Sequence, residues 1–315
     1  TLYGDGSNLT GVTSVTINNN ADNRVITGSG SANTLNGESS LLFDGSMLTV
    51  NDVRVGKGAN SISTNCVIGT ETLVGSVSGT HNTALGNRTL NALTTGDANT
   101  AVGFNAGAAI TTGDYNVSVG RSALGNLTTG SNNTAVGWKS QLFNSTASNN
   151  TSLGFQALYG SSLTGSSNSA VGAYSLDANQ SGSNNVAFGI NSLSSNTTAS
   201  DNTAVGAGAM DGNTTGSRNT AVGRGALDLN TTANNNTAVG YNCLDANTTG
   251  TENVSVGAFS MGANSTGGQN TALGESALGN NTTASKNTAI GKNALVQNTT
   301  GSENVAIGNE ALEAN

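Results

Sequence analysis

The chain has 315 residues with 44 Gly, no Pro and 9% charged residues, and 18 Asp and Glu against 10 Lys and Arg give a net charge of −8. That balance argues against a nucleic-acid partner, which needs a basic surface, and no apolar run approaches the roughly 18 residues of a membrane-spanning helix. With one His and no paired-carboxylate motif, we expect no enzyme, no cofactor and no metal, and we assign no catalytic, cofactor-binding or receptor-binding residue.

The segment 1–64 carries no repeat and alternates like short strands. The alternation runs through residues 12–17, 24–27 and 41–55, and three turn-forming sequences interrupt the region: Asn18-Asn19-Asn20, Asn36-Gly37 and Asp44-Gly45. We predict a small β region over residues 1–64 that joins the repeats to whatever precedes them. Because the sequence starts at Thr1 without a basic, apolar leader, we expect a processed chain or a fragment.

From residue 65 onward one motif, Asn-Thr-Ala-Val-Gly, recurs with a 17-residue step. Its Asn falls at fifteen positions, with one step of 18: 65, 82, 99, 116, 133, 150, 168, 185, 202, 219, 236, 253, 270, 287 and 304. The consensus is N-T-A-V-G-x-x-A-L-x-x-N-T-T-G-S-x, and the last unit is incomplete. A short fixed period is typical of a solenoid, so we predict an all-β fold, with a parallel β-solenoid of 17-residue coils over residues 65–315.

Each position of the repeat, counted from the motif Asn, predicts a local structure. The second and fourth positions are Thr or apolar residues and share one strand face, because alternate residues of a strand point the same way. The third is Ala or Ser, and we expect that opposite face to pack tightly on another sheet or another chain. The fifth is always Gly, which accepts positive φ or close backbone approach. The eighth and ninth predict a second short strand, and N-T-T-G predicts a turn.

Three competing structures are weaker. A helix conflicts with a Gly that recurs every coil and with apolar spacing that does not follow the helical period. Disorder conflicts with the low charge and the strict periodicity. An Asn-rich aggregating tract stays open in principle, although such tracts do not hold Gly in one register.

The two Asn positions of the repeat predict ladders of amides along the solenoid axis. Stacking one coil on the next at about 4.8 Å gives a rod of about 70 Å. The motif Asn would form one ladder and the Asn of N-T-T, from Asn179 to Asn315, a second, with side chains hydrogen-bonded as in cross-β stacks. One coil is too thin to be stable alone, so we expect it to depend on neighbouring coils and on other chains.

The repeat arrays resemble those of bacteriophage tail fibres and appendages, notably marine ones. Segments before the arrays, GDGSNLTG at 4–11, LFDGSMLTV at 42–50 and VRVG at 53–56, resemble the linker that precedes such arrays. The core N-x-A-[VI]-G is also similar to the head repeats of trimeric autotransporter adhesins, which form trimeric parallel β-rolls. The resemblance implies a homotrimeric fibre in the virion, with other tail or capsid proteins as partners and a host-surface glycan as a further candidate.

Single residues that resemble functional sites have structural explanations. We expect His81 to be a surface turn residue and Gly206-Ala207-Gly208 and Gly223-Arg224-Gly225 to be repeat corners, since both lack the Lys and helix of a phosphate loop. Cys66 and Cys243 fall at small-residue positions about 50 Å apart along the rod. That separation excludes a disulfide, so we expect two buried free thiols.

Two rows of side chains, one acidic and one aromatic and basic, each allow a structural and a ligand-binding interpretation. Asp211, Asp228 and Asp245 share the tenth position in successive coils, and we favour a solvated acidic stripe over a cation site, which needs several oxygen ligands for each ion. The corner after the invariant Gly collects aromatic and basic residues. We favour a structural role there over a glycan-binding strip: Phe104, Trp138, Lys139, Phe155, Tyr174, Arg224, Tyr241, Phe259 and Lys292.

The sequence therefore favours a structural protein, the shaft of a trimeric phage fibre that supports host attachment. The alternative is the head of a bacterial trimeric surface adhesin that itself binds host or matrix. A remote alternative is an ice-binding solenoid, because Thr at the second, thirteenth and fourteenth positions would form regular ladders. We weigh against it that the second position is expected to face inward and alternates with Val.

Overall fold

The computed structural model describes residues 16–18, 24–28, 34–43, 47–50 and 53–314 of the chain. These residues form twenty β-strands and one turn of 3-10 helix at Ala59–Ser61. The predicted all-β class is therefore confirmed.

Five strands precede the repeats: β1 Thr16–Asn18, β2 Arg24–Gly28, β3 Thr34–Phe43, β4 Met47–Val50 and β5 Val53–Gly56. β3 pairs parallel with β1 and antiparallel with β2 and β4, and β5 pairs antiparallel with β4. The turn predicted at Asn36-Gly37 is wrong, because both residues lie inside β3 and pair with Thr27 and Ile26 of β2. Asn36 also pairs with Asn18 of β1, and this strand pairing outweighs the turn propensity of the two residues. Asn19, Asn20 and the turn predicted at Asp44-Gly45 lie outside the described residues.

The repeats form one parallel sheet with one strand per coil. The strands are β6 Cys66–Gly69, β7 Thr83–Leu85, β8 Thr100–Val102, β9 Val117–Val119, β10 Thr134–Val136, β11 Thr151–Leu153, β12 Ser169–Val171, β13 Val186–Phe188, β14 Thr203–Val205, β15 Thr220–Val222, β16 Thr237–Val239, β17 Val254–Val256, β18 Thr271–Leu273, β19 Thr288–Ile290 and β20 Val305–Ile307.

The register of this sheet follows the repeat. Each strand pairs with the strand one repeat later, as Thr203 pairs with Thr220, and the one longer step pairs Thr151 with Ser169. The predicted parallel solenoid of 17-residue coils is confirmed. Its first strand, β6, also pairs antiparallel with β5, so the strands before the repeats continue the same sheet. The boundary at residue 64 stays a prediction.

The strand face that lies inside the coil is the Ala/Ser face. Ala101, Ala135, Ala204 and Ala238 of the third position are fully buried, as is nearly every residue there. The second and fourth positions face out, contrary to the inward orientation expected for the second. The interior of a coil that is one short strand wide is narrow, and the third position is accordingly Ala or Ser in every coil but the first, where Val67 is buried. The expectation that the Ala/Ser face packs on another sheet or chain is therefore wrong.

The eighth and ninth positions form consecutive turns, so the second strand predicted there is wrong. Leu227 and Leu244 of the ninth position have φ of 55° and 54°, a left-handed backbone that strands do not contain. The backbone N–H of Leu227 still donates to the carbonyl of Cys243 in the next coil at 2.9 Å. Burial of the Leu side chain and this hydrogen bond together hold an otherwise strained conformation.

The invariant Gly lies at the end of each strand, at a point where the backbones of successive coils lie very close together. Gly223 has φ of 135°, and a Cβ there would lie 2.3 Å from the carbonyl oxygen of Gly240. Both the dihedral angle and the contact exclude a larger residue. Gly103 in an N-terminal coil has φ of 128° and the same kind of contact with Gly120, at 2.9 Å.

The motif Asn residues form the predicted ladder. The side-chain oxygen of Asn202 accepts the backbone N–H of Asn219 at 2.9 Å, and the side-chain amide of Asn202 donates to the carbonyl of Gly216 at 2.9 Å. The second ladder runs from Asn179 to Asn298 through links such as Asn230 to Asn213 at 2.8 Å. Asn315, its predicted last member, lies outside the described residues.

The core divides into two apolar clusters. One spans Val67 to Ala135 and the other spans Ala147 to Ala306. A layer of buried polar side chains lies between them, and we call it the polar layer: Ser140, Gln141, Asn144 and Ser152. Gln141 occupies the ninth position, where most other coils place Leu or Met, and its amide donates to the carbonyl of Thr134 and the hydroxyl of Ser152, both at 2.9 Å.

Candidate functional site

The outward face of the parallel sheet is the most extended surface feature of the repeats. We call it the strand ribbon, and it consists of the second- and fourth-position side chains of β6–β20. Within the described coils it holds Thr, Ser, Cys, Val, Leu, Ile and Phe and no charged side chain. Several of its large apolar members are exposed: Ile68, Leu85, Leu153, Val186, Phe188, Val222, Val254, Leu273, Val305 and Ile307.

The orientation of the strand ribbon removes one of the two arguments against an ice-binding solenoid. The objection that the second position faces inward is wrong, because those Thr side chains are half-buried or exposed. The other objection holds, since Val replaces Thr at four second positions and breaks the ladder: Val117, Val186, Val254 and Val305. A bulky Phe188, 57% exposed, further interrupts the flat surface.

The aromatic and basic residues after the invariant Gly form ladders in which the rings contact one another. Trp138 stacks on Phe155 with centroids 4.8 Å apart, and Tyr174 meets Phe155 edge-on at 5.3 Å. The ammonium of Lys139 lies 4.3 Å from the Trp138 ring centroid. Ring faces in this stretch are thus occupied by neighbouring coils, as expected for a structural role.

The same corner is open farther along the rod, where small residues such as Ala207, Gly208 and Gly225 interrupt the bulky ones. A recess of about 390 Å³ is lined by Ile190, Asn191, Ala207, Gly208, Asp211, Arg224, Gly225, Asp228, Tyr241 and Asn242. A second recess of about 360 Å³ is lined by Asn242, Asp245, Phe259, Gly262, Ala263, Ser276, Gly279, Asn280 and Val296. The two recesses adjoin at Asn242 and follow one another along the axis, and we call them together the corner groove.

Three carboxylates lie along the corner groove. Asp211, Asp228 and Asp245 occupy the tenth position of successive coils, as the sequence predicts, and all three are half-buried. Loss of hydration raises the pKa of Asp228, and the neighbouring carboxylates of Asp211 and Asp245 raise it further. Burial also raises the pKa of Asp245. In the described residues no group of three or more His, Cys, Asp or Glu side chains converges on a position that could hold a metal ion.

A fourth tenth-position carboxylate extends this acidic line toward the N terminus. Burial raises the pKa of Asp177 to about 6, and the charge of Asp211 adds to the shift. Ser194, in the coil between them, donates its hydroxyl to the carboxylate of Asp211.

Asp97, near the N-terminal end of the repeats, has a lowered pKa, because the backbone N–H and the hydroxyl of Thr80 donate hydrogen bonds to its carboxylate.

The lone His81 is exposed in a turn, as predicted, with its Nδ1 3.0 Å from the hydroxyl of Thr80. Both cysteines are free. Cys243 is buried as predicted, with Sγ 3.0 Å from the hydroxyl of Ser255, and burial raises the pKa of its thiol. Cys66 is free as predicted, but its predicted burial is wrong, because it lies at the outward-facing second position of β6 and is exposed.

The segments Gly206-Ala207-Gly208 and Gly223-Arg224-Gly225 are corners of successive coils that follow β14 and β15. They contribute to the floor and wall of the first recess. Reasoning from the sequence does not find the corner groove, because the groove depends on missing side chains. The signal that could have found it is the concentration of Ala and Gly at the sixth, seventh and tenth positions: Ala207, Gly208, Gly225, Gly262 and Gly279.

Within the part of the chain that the structure describes, there is no helix of the length and apolar character needed to cross a membrane. Comparison with models of protein families, with curated proteins and with solved structures found no match in any of the three. The function is therefore inferred from the geometry of this chain and from the resemblance of its repeats.

Proposed function

We propose that the repeats form the shaft of a homotrimeric fibre that holds an attachment device away from the particle that carries it. The observation that carries this proposal is the strand ribbon, an uncharged and largely apolar surface that follows the whole sheet. A monomeric chain rarely leaves such a continuous apolar surface in water. Further copies of the same chain are its natural partners, because their ribbons have the same length, register and chemistry.

The dimensions of the ribbon fit such an assembly. A sheet of fifteen strands is about 70 Å long, and a face about 10 Å wide then offers about 700 Å² for each chain. This area is close to the roughly 800 Å² that each partner buries in a standard interface, and in a trimer it is divided between two neighbours. Three ribbons that meet around one axis would cover one another and leave the turns and the corner groove at the outside.

The resemblance of the arrays to phage fibre repeats supports a virion location, with other tail or capsid proteins at the ends of the shaft. The near-identity of the coils suits a spacer, because recognition usually depends on a few distinct anchor residues in one place. The alternative of a bacterial surface adhesin uses the same trimeric rod and differs in what the rod is attached to.

Light scattering of the folded chain tests the assembly. Three copies of the 31.0 kDa chain give about 93 kDa, and we expect that mass for the wild type. The double variant Val222→Lys, Val239→Lys places charges on the ribbon, whereas the control Thr215→Lys, Thr232→Lys places them at the exposed fourteenth position. We expect the ribbon variant to be monomeric and the control to stay trimeric; a wild-type mass equal to that of one chain would overturn the proposal.

A deletion tests the spacer role. Removing residues 99–132 takes out two whole coils, keeps the register and leaves the corner groove intact. The rod should shorten by about 10 Å while the trimer and host attachment persist. Loss of attachment with the trimer intact would move recognition onto the shaft and favour the adhesin.

A further inference from the structure

The corner groove combines shape with groups that can bind a ligand. Its two recesses extend over coils from Ile190 to Val296, about 30 Å along the axis, and each has the volume of an ordinary small-molecule site. The groove exists because small residues interrupt the ladder that elsewhere fills this corner. A Cβ added at Gly208 would meet no atom within 4 Å.

The groups that line the groove supply both hydrogen-bonding atoms and apolar surface. The carboxylates of Asp211, Asp228 and Asp245 accept hydrogen bonds, and the amide of Asn242, where the recesses meet, both donates and accepts. Tyr241 contributes a ring that is 43% exposed, next to Phe259 and Arg224. The guanidinium carbon of Arg224 lies 5.8 Å from the Tyr241 ring centroid, so a donor and an aromatic surface lie side by side.

These features together favour one class of ligand. We propose that the corner groove binds an uncharged oligosaccharide that lies along the rod axis. Sugar hydroxyls donate to the carboxylates and accept from Arg224 and Asn242, while the C–H face of a pyranose ring, which carries partial positive charge, packs against the aromatic rings.

The charges of the groove argue against a polyanion. Three carboxylates repel a nucleic acid or an acidic polysaccharide. Arg224, in the same coil as Asp228, lies in the first recess and adds a hydrogen-bond donor beside the carboxylates. The partial dehydration that raises the pKa of Asp228 and Asp245 leaves carboxylates that gain from a hydroxyl donor.

The periodicity of the groove suits a repeating ligand. The carboxylates of Asp211, Asp228 and Asp245 recur in three successive coils, about 4.8 Å apart, so successive sugar units of an extended chain meet a hydrogen-bond acceptor in each of these coils. This inference goes beyond the shaft proposal, because binding depends on the groove of a single chain and holds whether or not three chains assemble.

Titration calorimetry of the full chain with three uncharged hexasaccharides tests the inference: cellohexaose, maltohexaose and N-acetylchitohexaose. Hexagalacturonate and spermine serve as anionic and cationic probes. We expect at least one uncharged hexasaccharide to bind and neither charged probe to bind as tightly. Absence of binding by all three uncharged probes, or tighter binding of a charged one, would overturn the proposal.

A matched pair of variants places the binding in the groove. Ala207→Trp fills the first recess with a side chain that the sixth position already holds at Trp138, so the fold accommodates it. Asn309→Trp makes the same change at the sixth position of the last coil, outside the groove.

We expect Ala207→Trp to weaken binding at least about tenfold and Asn309→Trp to leave it unchanged. Asp228→Asn, which keeps the shape and removes the charge, should weaken binding about tenfold. Circular dichroism at the binding temperature verifies that each variant is folded. Equal affinities for folded Ala207→Trp, Asn309→Trp and wild type would contradict the assignment of the groove.

Discussion

Two regions of the solenoid hold the same coil together in different ways. In the N-terminal coils the twelfth position is apolar, with Leu93, Ile110 and Leu127 fully buried. In the C-terminal coils the same position is the buried amide ladder from Asn179 to Asn298. The backbone path is the same in both regions, which shows that apolar packing and side-chain hydrogen bonding can each fill the space at the twelfth position.

The polar layer lies at the junction of these two regions. Asn144 is the first Asn at the twelfth position, and its amide donates to the side-chain oxygen of Gln141 at 3.1 Å. It has no ladder Asn on its N-terminal side, where Leu127 occupies the position. Gln141 therefore provides the partner that the apolar region does not.

The largest expected effect is common to both regions, because both depend on the Gly at the end of each strand. Gly223→Val in the C-terminal coils and Gly103→Val in the N-terminal coils should each destabilise the fold by more than about 3 kcal/mol, through backbone strain and contact with the next coil. Thermal unfolding followed by circular dichroism measures both. An unchanged melting temperature for either variant would show that the Gly is not required by the backbone.

Exchanging apolar residues and Asn at the twelfth position should destabilise each region for a different reason. Ile110→Asn buries an amide between apolar neighbours and should cost about 3–5 kcal/mol, whereas its control Ile110→Leu should cost less than about 1.5 kcal/mol. Asn230→Leu removes hydrogen bonds to Asn213 and Ala233 and from Asn247, and should cost about 2–4 kcal/mol. Urea unfolding gives these values. If Asn230→Leu proved neutral, the ladder would contribute nothing beyond filling space.

Replacing the polar layer should raise the free energy of unfolding, whereas the preceding substitutions lower it. Ser140→Ala, Gln141→Leu, Asn144→Leu and Ser152→Ala together replace the whole polar layer by the residues that apolar coils carry at these positions, and would join the two apolar clusters. Replacing all the hydrogen-bonding side chains of the layer by apolar groups of fitting shape is neutral or stabilising, and we expect a gain of about 1 kcal/mol. Urea unfolding of the fourfold variant beside the wild type measures it, and a clear loss of stability would mean that the layer specifies the junction.

The smallest effect is on pH dependence. The pKa of Asp177 is about 6 in the folded chain against an ordinary 3.8, so its stabilising contribution is complete below about pH 4 and is lost as the pH rises through 6. Asp97 has a lowered pKa, so its contribution is lost as the pH falls. Asp177→Asn should raise the melting temperature at pH 7 more than at pH 5. An equal change at both pH values would contradict the raised pKa.

The sequence alone predicts the features that recur at the same position of every repeat. The 17-residue step, its one longer step and the ladder of motif Asn residues follow directly from the spacing of Asn and Gly. The orientation of the strand could not be derived in the same way. Alternation separates the two faces of Thr220, Ala221 and Val222, but it does not show that the smaller residue lies inside, where space is narrow.

Two other features also lay beyond sequence reasoning. Leu is rarely left-handed, so nothing at Leu227 signals the positive φ that turns the predicted second strand into consecutive turns. The corner groove arises from missing side chains in coils that are adjacent in space and one whole repeat apart in sequence, as at Ala207 and Arg224. Only the stacked structure brings those gaps together.

The central claim is that copies of the chain meet through their strand ribbons, and Cys66 offers the most direct measurement. Its thiol is exposed on the ribbon, whereas Cys243 is buried. A short bismaleimide cross-linker applied to the folded chain, followed by denaturing electrophoresis, should produce covalent dimers from the wild type and from Cys243→Ser and none from Cys66→Ser. Single chains only, in a wild-type sample that is fully modified at Cys66, would contradict the claim.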